Sequence, residues 1–133
     1  MTATEFADQE FLSDPDIGIV GDCWRACIAN ALELPIADVP HFVRDYDSAF
    51  LEATQAWLEL NDVPRLLFRC AFFPIAESLK PFGILVGRSP RDVQHAVLVN
   101  TETGEIVHDP HPSRAGLTSI AGAYVFAQIG EPV

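Results

Sequence analysis

Cys23 stands in the run Gly21-Asp22-Cys23-Trp24-Arg25-Ala26-Cys27, at the head of a stretch whose apolar residues recur at helical spacing. Two segments far downstream carry the other groups a thiol needs: His95-Ala96-Val97-Leu98-Val99 and Ile106-Val107-His108-Asp109-Pro110. A free thiol, with a pKa of about 8.5, is mostly protonated at neutral pH and attacks only as the thiolate. Chemistry at a carbonyl therefore calls for a base beside the sulfur and a third group to orient that base. A helix N-terminus, whose partial positive charge favours the anion, helps further. Asp22 is a fair N-cap, so Cys23 falls in the first turn, where unpaired N–H groups favour a thiolate and would also stabilise an oxyanion. The opposing reading of Cys23 is a small buried hydrophobe, the usual state of a free cysteine.

His95 opens an apolar strand and Asp109 closes the next one, across the turn Thr101-Glu102-Thr103-Gly104. With the turn midpoint near residue 102, antiparallel pairing sets residue 95 opposite about residue 109. A carboxylate there fixes the imidazole tautomer while the other ring nitrogen faces the thiol. Strand alternation puts His108 and Asp109 on opposite faces, so Asp109, and neither His108 nor His111, is expected to meet His95. Cys23 with two of these histidines and Asp109 would suit zinc by ligand type, but neither paired CxxC nor HExxH spacing is present. The expectation is therefore no metal and no cofactor. Cys27 and Cys70 read as core, which leaves Cys23 as the most reactive thiol, with a lowered pKa. His41, after Pro40, reads as a surface or loop residue without a partner. Trp24 and Trp57 belong to apolar helix faces, and Trp24 could also wall a substrate cleft. Arg88 and Arg91, just before His95, either hold a substrate carboxylate or merely balance charge.

The elements that must position these groups follow from the same pattern. Residues 1–21 form an irregular acidic entry segment. A helix starting at Cys23 ends before Pro35, and a turn over 36–43 leads to a short helix. Asp47-Ser48 is a second N-cap for a helix stopped by Asn61-Asp62. Strands are expected over 66–73, 82–86, 95–100, 105–109 and 123–128, with a short helical turn at 75–79. Helices first and an antiparallel sheet second predict an α+β domain.

The chain has 133 residues, 49% of them hydrophobic, enough for one domain with a sizeable core. Its formal net charge is −11, and Glu5, Asp8, Glu10, Asp14, Asp16 and Asp22 all precede Cys23 with no Lys or Arg among them. Such a surface is repelled by nucleic acid and anionic membrane. It suits a basic partner, or serves only solubility. No apolar run approaches a membrane span, no secretion signal is evident, and three cysteines make no disulfide framework; a cytoplasmic setting is expected.

Asp22-Cys23-Trp24-Arg25-Ala26-Cys27-Ile28-Ala29 resembles the active-site helix of the bacteriocin-processing, papain-like cysteine peptidases attached to peptide-exporting ABC transporters. The His95 and Asp109 strands resemble that family's histidine and aspartate motifs, in the same order. The chain is still more similar to small phage and prophage proteins with papain-like folds. Those combine Gly-Asp-Cys, a Leu-Pro-x-x-x-Val-Pro-x-Phe stretch (here Leu34 to Phe42) and His-Asp-Pro-His-Pro-Ser (here His108 to Ser113). The resemblance spans roughly residues 8–117. It implies a single papain-like domain over 1–133, with Cys23 as nucleophile, His95 as general base and Asp109 as orienting acid. Papain-like enzymes carry an oxyanion-binding glutamine a few residues before the cysteine; here the nearest is Gln9, 14 residues upstream. Asp8-Gln9-Glu10-Phe11 looks like an opening motif of the phage group, so Gln9 is expected at the site if residues 10–21, with Pro15 and Gly18, loop out. Trp24 replaces the glycine usual after the nucleophile in the transporter peptidases, so their double-glycine leader specificity does not carry over. The function implied is a cysteine hydrolase of peptidase or amidase type acting on an amide, isopeptide or related acyl bond in a bacterial host cell, with a peptide or protein substrate. The alternative is an inactive papain-like protein of phage origin that binds a host partner through its acidic surface.

Overall fold

The helix that begins at Cys23 is the piece around which the other elements gather. A computed structural model describes residues 6–128 and places this helix, α1, at Cys23–Leu32. Trp24 and residues 26–31 are buried, so α1 is covered on nearly every side, as a central helix must be. Glu33, in the left-handed conformation at φ 57°, closes it by donating its N–H to the Ala29 and Asn30 carbonyls, and Pro35 prevents continuation. Two further helices follow, α2 at Phe42–Tyr46 and α3 at Phe50–Leu60.

The second half supplies β1 (Arg65–Arg69), β2 (Phe82–Arg88), β3 (Gln94–Asn100), β4 (Ile106–His108) and β5 (Ser119–Ala127). They form one antiparallel sheet in the order β1-β5-β2-β3-β4, an α+β arrangement as expected. Period-two alternation gives the sheet two apolar faces. Ala96, Leu98, Ile84 and Phe126 pack with Ile28, Phe42 and Leu58 of the helices. Val97, Val99, Leu85 and Val125 turn the other way, against Ile75, Phe73 and Leu117. Each of these Val, Leu, Ile and Phe side chains contributes about 1.5–3 kcal/mol by leaving water. No helix among the described residues is long and apolar enough to cross a membrane.

Several expectations need correction. β1 stops at Arg69 instead of Phe73, because the chain turns out of the sheet there, with Phe72 N donating to Cys70 O at 2.7 Å. Cys70 is consequently exposed and not core. Residues 75–79 make a single turn, Ser78 N donating to Ile75 O at 3.2 Å, and go no further toward a helix: Ile75 N and Leu79 N are spent on Thr101 O and Phe126 O, which stitch this loop to the sheet. Asp47 and Ser48 do not cap α3; they lie in a 3-10 turn that runs straight into it. β5 begins at Ser119, four residues earlier than expected, because the segment Ser119–Gly122 lies along β2. His41 is buried, not a surface residue. Its Nδ1 accepts the Arg44 N–H, so Nε2 carries the proton that it donates to Val20 O at 3.0 Å.

Candidate active site

Asp22 caps α1 by position only, for its side chain makes no cap bond. Its carboxylate, fully buried, instead accepts from Phe11 N at 2.8 Å and pairs with Arg25 Nη1 at 3.3 Å. These bonds close the mouth of an outward loop. Asp22 N donates to Phe11 O, Asp14 and Ile19 pair as an antiparallel bridge, and Gly18 turns the tip at φ 72°. The excursion expected for residues 10–21 is thus present, and it returns the chain beside the helix start.

Several attachments hold the segment that carries Gln9. Ala7 pairs through both backbone groups with the buried Asn30 side chain, and Gln9 N donates to Pro110 O at 3.0 Å. Asp8 binds Arg114 through both carboxylate oxygens, at 2.6 and 3.2 Å, and Phe11 is held by Asp22 as above. Gln9 therefore reaches the cleft that Cys23 lines. A Cβ on Gly21 would lie 3.3 Å from Gln9 Nε2 and 3.0 Å from Ser13 N, so the glycine before Asp22-Cys23 lets glutamine and loop close in. Gln9 Nε2 donates to Phe11 O at 2.7 Å, which leaves its second hydrogen available, while Oε1 is buried without a partner.

His95 and Asp109 meet. Nε2 of the imidazole is 2.7 Å from Asp109 Oδ1, and both side chains are buried. The same carboxylate accepts from His111 N at 2.9 Å and from Gly116 N at 2.7 Å. Burial opposes ionisation of Asp109, but the His95 bond and the two amide N–H groups outweigh it and hold the carboxyl below its usual range. An ionised Asp109 keeps the neutral imidazole protonated on Nε2 and leaves Nδ1 as the basic nitrogen. The pairing does not come from the ladder. Leu98 lies opposite His108, a register that would set His95 against residue 111. β4 ends at His108, and Asp109 turns back from beyond the strand. His111 packs edge-on to His95 at 6.2 Å, and His108 bonds Asp8 at 3.1 Å.

The expected lowering of the Cys23 pKa is not found. Burial pushes its thiol up to about 11, against the amides of Ala96 and Trp24 that favour the thiolate; the Asp22 and Asp109 carboxylates add to the rise. Removal from water outweighs the partial charge of a helix end. No hydrogen bond joins the thiol to His95 among the described residues; what they share is the cleft, with Ala96, next to His95, presenting its amide to the sulfur. Cys27 is also pushed well above its usual value by burial, and of the three thiols Cys27 is buried, Cys23 half-buried and Cys70 exposed.

These shifts have a sign. A thiol whose pKa is raised in the fold stabilises the protein fully below pH 9 and loses that contribution as pH climbs through about 11. Wild type should lose on the order of 2 kcal/mol through Cys23 over that window, and Cys23→Ser should lose correspondingly less. Urea midpoints at pH 8 and pH 11 measure this; equal losses in the two proteins would refute it.

The cleft has a volume of about 720 Å³ and is lined by Cys23, Gln9, His95 and His111, with Trp24, Phe50 and Tyr124 as apolar walls. Trp24 belongs to the core, as expected, and also lines the cleft. It is buried, donates Nε1–H to Thr54 Oγ1 at 3.1 Å and stacks edge-on against Phe50 and Tyr124. Arg88 and Arg91 also line the cleft. Sequence reasoning missed the support around Asp109: Arg114 joins Asp8 to the Asp109 carbonyl at 2.8 Å, and Gly116 N completes the carboxylate's shell. The one available signal was Arg114 directly after the His-Asp-Pro-His-Pro-Ser stretch. No cluster of three or more metal-ligating side chains occurs among the described residues. Searches of protein-family models, curated proteins and solved structures find no match to this chain.

Proposed function

We propose that the chain is a papain-like thiol hydrolase acting on an amide, isopeptide or related acyl bond. The observation that carries this reading is the buried His95–Asp109 bond at the edge of a cleft that Cys23 and Gln9 also line. The helix bearing Cys23 at its N-terminus, packed on β3 whose start bears His95, supports the papain-like arrangement.

Burial holds the Cys23 thiol above its usual pKa, so it enters the reaction as the protonated thiol. His95 Nδ1 takes the thiol proton as sulfur bonds to the substrate carbonyl carbon. The oxyanion accepts the Cys23 N–H and the second hydrogen of Gln9 Nε2. Collapse breaks the C–N bond, and His95 returns its proton to the leaving amine. Water, deprotonated by the same nitrogen, then releases the acid. An incoming amine would give acyl transfer, and a carboxamide substrate would be deamidated.

Incubation with a mixture-based peptide library, read by mass spectrometry, tests this. Wild type should generate cleaved or deamidated products, and Cys23→Ala none. Gln9→Ala should lower the rate about 100- to 1000-fold with its denaturation midpoint kept. Equal products from Cys23→Ala would overturn the assignment. Absence of products from wild type would favour a second reading, a non-catalytic binding protein of the same fold, to which the high thiol pKa and the missing thiol–imidazole bond lend weight.

A further inference from the structure

The chain carries 19 acidic residues against eight basic ones, yet among the described residues no Asp or Glu lines the cleft, whereas Arg88, Arg91, His95 and His111 do. The carboxylates of Asp22, next to Cys23 in sequence, and of Asp109 are buried outside the cleft lining, Asp22 against Arg25 and Asp109 against His95. Arg25, Arg44, Arg69, Arg88 and Arg114 each have a carboxylate within 4.0 Å. Arg65 and Arg91 have none among the described residues, and of these two only Arg91 lines the cleft.

Arg91 is also held in place. Its backbone N–H donates to Ser89 Oγ at 3.2 Å, and Nη1 donates to Ser113 Oγ at 3.1 Å. Buried Ser89 ties the loop through Val93 O and Asp92 N, both at 2.9 Å, and Thr118 N bonds Arg88 O at 2.7 Å. A guanidinium bonded to one neutral hydroxyl keeps its charge for a ligand, and a loop tied through its backbone lowers the ordering cost of binding. The charge is felt in the cleft wall: after burial, Arg91 is the next influence that holds the His111 pKa down.

We propose that the cleft takes a substrate bearing a carboxylate beside the reacting carbonyl, and that Arg91 binds that carboxylate. This rests on the reading of Cys23 as nucleophile and names the substrate class for it. The carboxylate belongs to an acidic side chain or to a chain terminus, and the test separates the two.

Three probes react with Cys23 by the same step, in which sulfur displaces bromide and the thiol proton passes to His95. They are bromoacetyl-glutaminamide, which is neutral; bromoacetyl-glutamyl amide, with a side-chain carboxylate; and bromoacetyl-glutamine, with a terminal one. In a Cys70→Ser background, peptide mapping gives the labelling rate at Cys23 for each. The net charge of −11 by itself would slow both anionic probes. An Arg–carboxylate bond should instead make one of them about tenfold or more faster than the neutral probe. Arg91→Ala should abolish that ratio, Arg91→Lys keep part of it, and 0.5 M salt reduce it. Ratios at or below one for both anionic probes, or a raised ratio unchanged in Arg91→Ala, would overturn the proposal. If none of the probes labels Cys23, the hydrolase reading falls and the subsite is read separately, with acetyl in place of bromoacetyl. Amide NMR shifts at Arg91 and Gln94 that appear with an anionic analogue and vanish in Arg91→Ala would then support it, and their absence would refute it.

Discussion

Asp109→Asn is expected to lower the reaction of Cys23 with an acyl substrate by as much as about 10⁴-fold, the scale on which loss of the orienting carboxylate acts in such triads. Asp109 accepts three hydrogen bonds, from His95 Nε2 and His111 N at Oδ1 and from Gly116 N at Oδ2. An asparagine has no arrangement that satisfies all three. With its oxygen at the first position, its NH₂ opposes Gly116 N–H. With its oxygen at the second, the NH₂ opposes His111 N–H and drives the His95 proton to Nδ1, which removes the base. An opposed donor also costs about 1–3 kcal/mol. The pH signature is separate. Because Asp109 is held below 3.8 in the fold, its contribution to stability is complete above that pH and is lost as pH falls through the folded value. Acid unfolding of Asp109→Asn should lack that share. A variant within tenfold of wild type, with unchanged ¹⁵N shifts of the His95 ring, would show that Asp109 does not orient the imidazole.

Asp22→Ala should destabilise the chain by about 3 kcal/mol, the lower part of the range for breaking a buried ion pair. The lower part applies because Arg25 keeps Glu10 at 2.8 Å and Val39 O at 2.6 Å. The loss falls on the loop as well as the pair, since Phe11 N–H would be left without its acceptor. A second effect has the opposite sense for reactivity. Asp22 is one of the charges that raise the Cys23 pKa, so its removal should make the thiol more acidic. Urea denaturation together with the pH dependence of Cys23 alkylation, measured in Cys70→Ser, reads both. A stable variant, or a thiol made less acidic, would contradict this account of Asp22. Asp22→Asn, which keeps an acceptor for Phe11 N–H, should restore part of the stability.

The period of the apolar residues was enough to place α1 from Cys23, α3 from Phe50 and the hairpin of β3 and β4, because each element buries one face and its composition records which. Residue types and the symmetry of the hairpin named Cys23, His95 and Asp109 as a set; the structure bonds His95 to Asp109 and sets Cys23 and His95 on one cleft. Local pattern could not say that Asp22 serves a loop and not a cap, since its partners, Phe11 N and Arg25, are fixed by how the excursion closes. Nor could it show that the His95–Asp109 contact is made beyond the end of β4, where hairpin register no longer applies. Cys70, in a run as apolar as any strand, lies where β1 has already left the sheet. Most consequential is the thiol of Cys23. Its place at a helix start predicts a lowered pKa, but burial, together with the Asp22 and Asp109 carboxylates, raises it. Proton affinity depends on every charge and every water displaced within a few ångströms, and those come from chain segments that only the tertiary structure brings together.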